Sequence, residues 1–167
     1  MPPLLKVAPL AGYVACIVGA NLLITHVGIV PVGFGLSAPA GVYLAGLAFT
    51  ARDWTQETLG RWWTVGAIVL GAALSALLSP QLALASGVAF LLAEALDMAI
   101  YTPLRGRTFL GAVVASGLVG TVVDSALFLG LAFGSLEFLA GQVVGKWTMT
   151  LLAAGALFVL RRRLAPA

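Results

Sequence analysis

Read from its amino end, the chain alternates long apolar runs with short polar breaks. The breaks fall at Pro31 and Gly33, at Gly60, at Ser79-Pro80, at Pro103 and Gly106, and at Gly134-Ser135. Each has the Gly, Pro or Ser chemistry that stops one helix and turns into the next. A helix crosses the ~30 Å hydrocarbon core of a bilayer in about 20 apolar residues. The runs between the breaks predict six such helices: Val7–Gly28, Ser37–Arg52, Trp62–Leu78, Pro80–Thr102, Thr108–Phe133 and Leu136–Leu160. The expected fold class is an all-α integral membrane protein of six transmembrane helices, a single domain over residues 1–167. The opening MPPLLK leads into the first run without a small-residue cleavage signature, so that run reads as a retained helix.

Composition sharpens this picture. The chain is 61% hydrophobic and 9% charged, against roughly 25% charged in a soluble domain, and its mean hydropathy is +1.08. Twenty glycines suit helices that approach closely in lipid. A pI near 9.5 could suggest nucleic acid, but the positions of the basic residues point elsewhere. Lys6 precedes the first helix, Arg52 and Arg61 bracket the second connection, Arg105 and Arg107 fill the fourth, and Arg161–Arg163 follow the sixth helix. The other three connections hold no Lys or Arg, so all nine basic residues except Lys146 fall on one side. The positive-inside rule makes that side cytoplasmic and puts both termini there. Trp54, Trp62 and Trp63 gather at the same level, as an interfacial aromatic belt. Cys16, the sole cysteine, cannot form an internal disulfide and reads as a small packing residue.

Candidate chemistry lies in the few polar residues inside the runs. In SGVAFLLAEALDMAIY (Ser86–Tyr101), Glu94 and Asp97 are three apart and share one helical face. Carboxylates at that depth are costly and commonly face a cavity or a partner, which makes the two candidates for ligand binding or proton coupling. Asp97 has a second reading, as a partner of Arg105 or Arg107. Asp124 and Lys146 each lie about ten residues from the same membrane surface on consecutive antiparallel helices, so an ion pair between them is allowed. That pair either locks the two helices or offers Lys146 as a counter-ion that a ligand displaces. Asn21 and Gln142 are amides deep enough to need partners and are candidate ligand contacts. His26 sits near the water interface and reads as solvated, and Tyr43, Phe49, Phe90 and Phe128 read as packing rings able to stack on a planar ligand. In RDWTQETLGR, Asp53–Glu57 and Glu57–Arg61 are i,i+4 pairs, either a salt-bridged turn or a cytoplasmic gate. A Ser-Gly followed eight positions later by an acid occurs twice, at Ser86/Glu94 and Ser116/Asp124, a faint echo that chance explains equally well. No connection is long enough for a soluble domain, and no P-loop, zinc spacing, metal cluster or nucleophile–base pair occurs, so neither an enzyme nor a cofactor is expected.

Several of these stretches resemble a known family, the queuosine-precursor transporters, also called vitamin-uptake-transporter (VUT) proteins. PAGVYLAGLAFTARDWTQETLG (Pro39–Gly60) is similar to the family's second-helix signature, Pro…Phe…Asp-x-x-x-Glu-x-Tyr-Gly, although Leu59 stands where the signature has Tyr. ASGVAFLLAEALDMAIYTPLR (Ala85–Arg105) resembles its acidic fourth helix, SGLVGTVVDSALF its fifth-helix Asp-Ser, and GQVVGKWTMT its sixth-helix Gln…Lys, while Asn21 matches a first-helix asparagine. The loops and amino-terminal region are shorter than in many members. The resemblance implies a six-helix importer of 7-deazaguanines: preQ0, preQ1 or the queuine base. A carboxylate such as Glu94 or Asp124 could accept the adjacent N–H donors of a guanine-like edge. Asn21 or Gln142 could then satisfy its carbonyl and ring nitrogen.

Two architectures carry such a function. One is a stand-alone secondary transporter, proton-coupled through its carboxylates, with a homodimer as one way for so small a chain to complete a pathway. The other is the substrate-binding subunit of an energy-coupling-factor importer, which would need ATPase partners. The Ala11, Ala15 and Gly19 spacing would serve for docking but is equally ordinary helix packing. The expectation is the first: partners limited to the bilayer and the small molecule, without ATPase subunits or nucleic acid.

Overall fold

The computed structural model describes residues 3–107 and 109–164, with the side chains of residues 3–6, 94, 97, 98, 101, 102, 105, 109, 110, 112–114, 116, 154 and 157–164 (Lys6, Glu94, Asp97, Arg105 and Arg161–Arg163 among them) outside the described residues. Six α-helices and one β-hairpin are seen among them. Helix α1 spans Pro3–Val27, and strands β1 (Ile29–Gly33) and β2 (Leu36–Pro39) follow. The remaining helices are α2 (Val42–Leu59), α3 (Arg61–Ala76), α4 (Pro80–Arg105), α5 (Phe109–Phe133) and α6 (Leu139–Leu164).

The expected helix count is met, with shifted ends. The largest departure lies between the first two helices, where the second was expected to start at Ser37. Ile29–Pro39 instead forms an antiparallel hairpin pairing Ile29 with Pro39, Val30 with Ala38 and Pro31 with Ser37. Its tip needs left-handed backbone, and Gly33 (φ 95°), Phe34 (φ 53°) and Gly35 (φ 72°) supply it, two of the three without a Cβ to clash. Tyr43 Oη donates to Pro31 O at 2.6 Å and ties the hairpin to α2. Helix α2 continues beyond Arg52, with Thr55 and Thr58 bonding back to the Ala51 and Trp54 carbonyls at 2.8 Å each. Gly60, at φ 93°, then ends it. Pro103 does not break α4, which runs on to Arg105. At the other end of α4, Ser79 accepts from Leu82 N and Pro80 occupies the first turn, where its missing N–H costs nothing.

Among the described residues, one stretch is long and apolar enough to cross a bilayer by length and composition: Val7–Val27, with mean hydropathy 2.0 and only 22% buried. Such exposure is unlike the core helix of a soluble protein. Shorter apolar helices run over Pro80–Ala93 and Gly117–Phe133.

Helix α1 packs on α2 and α3, α2 on α6, and α4 along α5, the most extensive helix–helix contact. Glycines set these distances. A Cβ at Gly46 would lie 2.6 Å from Lys146 O and 2.7 Å from Met149 Cβ, and one at Gly71 would meet Ile17 Cδ1 at 2.8 Å. Beside Gly46, Thr150 Oγ1 donates to its carbonyl at 3.0 Å, so α2 and α6 are joined by a hydrogen bond as well as by contact.

Gly46→Val is therefore expected to lower the stability of the detergent-purified protein by about 1–3 kcal/mol through overpacking. Gly66→Ala is the control, because nothing lies within 4 Å of a Cβ there. Thermal unfolding of the two variants checks this, and equal melting temperatures would contradict it.

Candidate functional site

The polar residues singled out inside the apolar runs converge. Lys146 Nζ on α6 lies 2.6 Å from Asp124 Oδ2 on α5 and donates a second bond to Ser125 Oγ at 3.0 Å. Lys146 is 3% exposed and Asp124 8%, so an ion pair allowed by depth counting is formed, largely out of water. Taking each ion out of water costs several kcal/mol, and attraction repays that only where geometry is good and spare hydrogen-bonding positions are filled. Ser125 fills one of them.

Asn21 on α1 is buried, and Ser86 on α4 donates its hydroxyl proton to Leu82 O at 2.8 Å, with Asn21 Oδ1 at 3.4 Å as the weaker branch of a shared bond. Gln142, one turn before Lys146, is buried with its Oε1 lacking a hydrogen-bond partner, and the hydroxyl of buried Tyr13 is in the same condition. Leaving such a group unsatisfied costs about 1–3 kcal/mol. Both residues line one cavity with Asn21, Ser86, Asp124 and Lys146. Phe49, Phe90 and Phe128 give it flat apolar walls. Its volume, measured to the centres of water-sized spheres, is about 100 Å³.

The space follows from the sequence. On α1 the lining positions are Tyr13, Cys16, Ile17, Ala20, Asn21 and Ile24, a stripe at helical spacing. Elsewhere the inward faces carry small residues, Ala45 and Ala48 on α2 and Ala83 and Gly87 on α4, which leave room between helices.

Asn21, Asp124, Gln142 and Lys146 are thus brought together around one cavity. Glu94 and Asp97 belong to α4, but their side chains lie outside the described residues. His26 is exposed, in keeping with a solvated role. Asp53, Glu57 and Arg61 do not line the cavity. Asp53 is exposed and pairs with its neighbour Arg52 at 2.6 Å. Gly60 separates Glu57 on α2 from Arg61 on α3, so the two do not share one continuous helix, and Arg61 lies over the Trp62 ring at 5.9 Å. One polar cavity residue, Tyr13, was not singled out from sequence, and the bond from Lys146 to Ser125 was not foreseen. The α1 stripe would have found Tyr13, since it shares a face with Asn21.

Comparison with known families gives a match over the carboxyl-terminal half of the chain. The model of a family described as "putative vitamin uptake transporter" matches residues 73–160, which include Asp124, Ser125, Gln142 and Lys146. No curated protein and no solved structure matches the chain.

Removing one member of the ion pair strands the other. Lys146→Met is expected to destabilise the protein by about 3–5 kcal/mol. The double variant Asp124→Asn/Lys146→Met should recover much of that loss, a strong non-additivity in a double-mutant cycle. Unfolding of the four proteins in detergent checks this, and additive losses would mean that the two charges do not interact.

Proposed function

The chain belongs to the putative vitamin uptake transporter family, and on that premise we propose that it imports a planar, hydrogen-bonding heterocycle of the 7-deazaguanine class (preQ0, preQ1 or queuine) across a bacterial inner membrane. Membership in the family implies a membrane protein that moves a small molecule rather than transforming one. In the proposed arrangement α1 to α6 all span the bilayer, with both termini cytoplasmic.

The observation that carries the ligand class is the convergence of two unpartnered buried groups, Gln142 Oε1 and Tyr13 Oη, on a cavity walled by phenylalanine rings and bordered by the Asp124–Lys146 pair. The rings take the faces of a flat heterocycle, where stacked or edge-on contacts add to apolar burial. Gln142 Oε1 accepts a ring N–H, Tyr13 Oη and Asn21 bond its remaining edge, and Asp124 accepts adjacent N–H groups as Lys146 yields part of its hold. Movement of a proton with the ligand belongs to the same proposal, with Asp124, Glu94 and Asp97 as the carboxyl groups available. The chain is taken to work without ATPase subunits, as a monomer or homodimer.

The test is uptake of labelled preQ0 and preQ1 by cells that cannot synthesise queuosine, read as queuosine in tRNA, with expression matched. Wild type should restore it, while Gln142→Leu and Asp124→Asn should each cut uptake about tenfold, the scale of one lost hydrogen bond to a buried partner. Equal rescue by all three would remove these residues from the site. No rescue by well-expressed wild type would point to a missing partner or another ligand. In purified protein, preQ0 should also slow alkylation of Cys16, which lines the cavity. A phosphatase reporter fused after Gly134 should be active outside the cytoplasm and one fused after Arg107 silent, and the reverse would overturn the orientation.

A further inference from the structure

The cavity has two unlike ends. At the hairpin end the surrounding elements approach each other at backbone distance. A Cβ at Gly41 would fall 2.6 Å from Ala20 O, one at Gly141 would collide with Ser37 O, and Ala38, Pro39 and Ala40 are buried there. No rotamer change widens such an approach.

At the other end the closure is made of side chains. Phe49 on α2 and Phe90 on α4 stack with centroids 6.4 Å apart and planes 21° apart, and Tyr13 leans on Phe90 at 6.3 Å. Arg52, one turn after Phe49, lays its guanidinium over both phenylalanines, at 5.7 and 5.8 Å from the ring centroids. Asp53 Oδ1 holds that guanidinium, accepting from Nε at 2.9 Å and from Nη2 at 2.6 Å. The three rings line the cavity and Arg52 does not, so the cation caps the stack from outside. The backbones of α2 and α4 scarcely meet. Among the described residues α2 packs on α1, α6 and α3, and α4 on α5 and α3, so the rings bridge a seam where the two helices make little direct contact.

We infer that the ligand passes between the cavity and the membrane face bearing Arg52 through this α2–α4 seam, with Phe49 and Phe90 as the barrier and Arg52–Asp53 as its latch. The inference rests on the reading of the cavity as the ligand site. It moves the gate away from Asp53, Glu57 and Arg61 as a set, keeping only Asp53. Opening needs rotation of side chains about χ1, without displacement of a helix. The Asp53 arm of the latch is exposed, where water and salt screen an ion pair.

Cys16 is the chain's only cysteine and lines the cavity, so it reports access without any ligand. The full-length protein is placed in right-side-out and everted vesicles, and the rate of Cys16 modification by a membrane-impermeant maleimide is measured on each. A Cys16→Ser/Gln56→Cys variant marks the face on which the end of α2 lies, since Gln56 is exposed there. Wild type should react slowly from both faces. Phe90→Ala and the milder Arg52→Gln, which leaves the rings in place, should each raise the rate about tenfold from the Gln56 face alone, the scale of losing desolvated cation–π contacts. No increase with either variant, an increase from the opposite face, or an equal increase from both would overturn the inference, the last indicating a loosened bundle. Sided labelling together with absent 7-deazaguanine uptake would retain the gate and reject the ligand.

Discussion

An ammonium and a carboxylate held 2.6 Å apart and largely out of water constrain everything around them, because either one alone would be a large liability. Lys146 and Asp124 must stay at one level, which fixes α5 and α6 in register. The same residue anchors α2, since Gly46 sits against the Lys146 carbonyl and Gly145 against Val42. Three helices thus meet at one residue, α5 at its side chain and α2 at its backbone. The amide of Gln142 and the hydroxyl of Ser125 are carried into place by their nearness in sequence to the two ions.

Around this anchor the bundle is shaped by what it lacks. Alanines and glycines on the inward faces of α2 and α4 leave a hollow, and the phenyl rings of Phe49, Phe90 and Phe128 give it flat walls. Glycine serves two opposite ends in the one molecule. At Gly41, Gly46 and Gly141 it allows contact too close for any side chain, whereas at Gly87 nothing lies within 4 Å of the missing Cβ and the glycine keeps space open. A rigid frame and a vacant interior therefore come from the same residue type, distinguished by the neighbour it faces.

The six helices were legible because lipid-scale hydropathy and turn residues mark them independently of tertiary structure. The level of Asp124 and Lys146 could be counted along antiparallel runs, and that count held. The hairpin was not legible: Pro31 and Gly33 read as a break and Ser37–Pro39 as the start of the second helix, because apolar hydropathy alone does not tell a short buried strand from a helix end. Tyr13 was hidden in an apolar run, where its hydroxyl is conspicuous only once other helices surround it. Near Arg52 the spacing did not show that Asp53 pairs with its neighbour Arg52, whose guanidinium lies over Phe49 and over Phe90 of α4, nearly forty residues away in sequence.

The ion pair also has an order in time. Asp124 and Lys146 are 22 residues apart in the chain, and synthesis proceeds at ~5–20 residues per second, so the acid exists for about one to four seconds before its base is made. During that interval α5 carries an acidic group with no counter-charge from α6. The nascent helix must meanwhile keep that group hydrated, protonated or in the keeping of an earlier segment. Arrival of Lys146 ends the wait, which makes docking of α6 the event that commits the newborn protein to its final form.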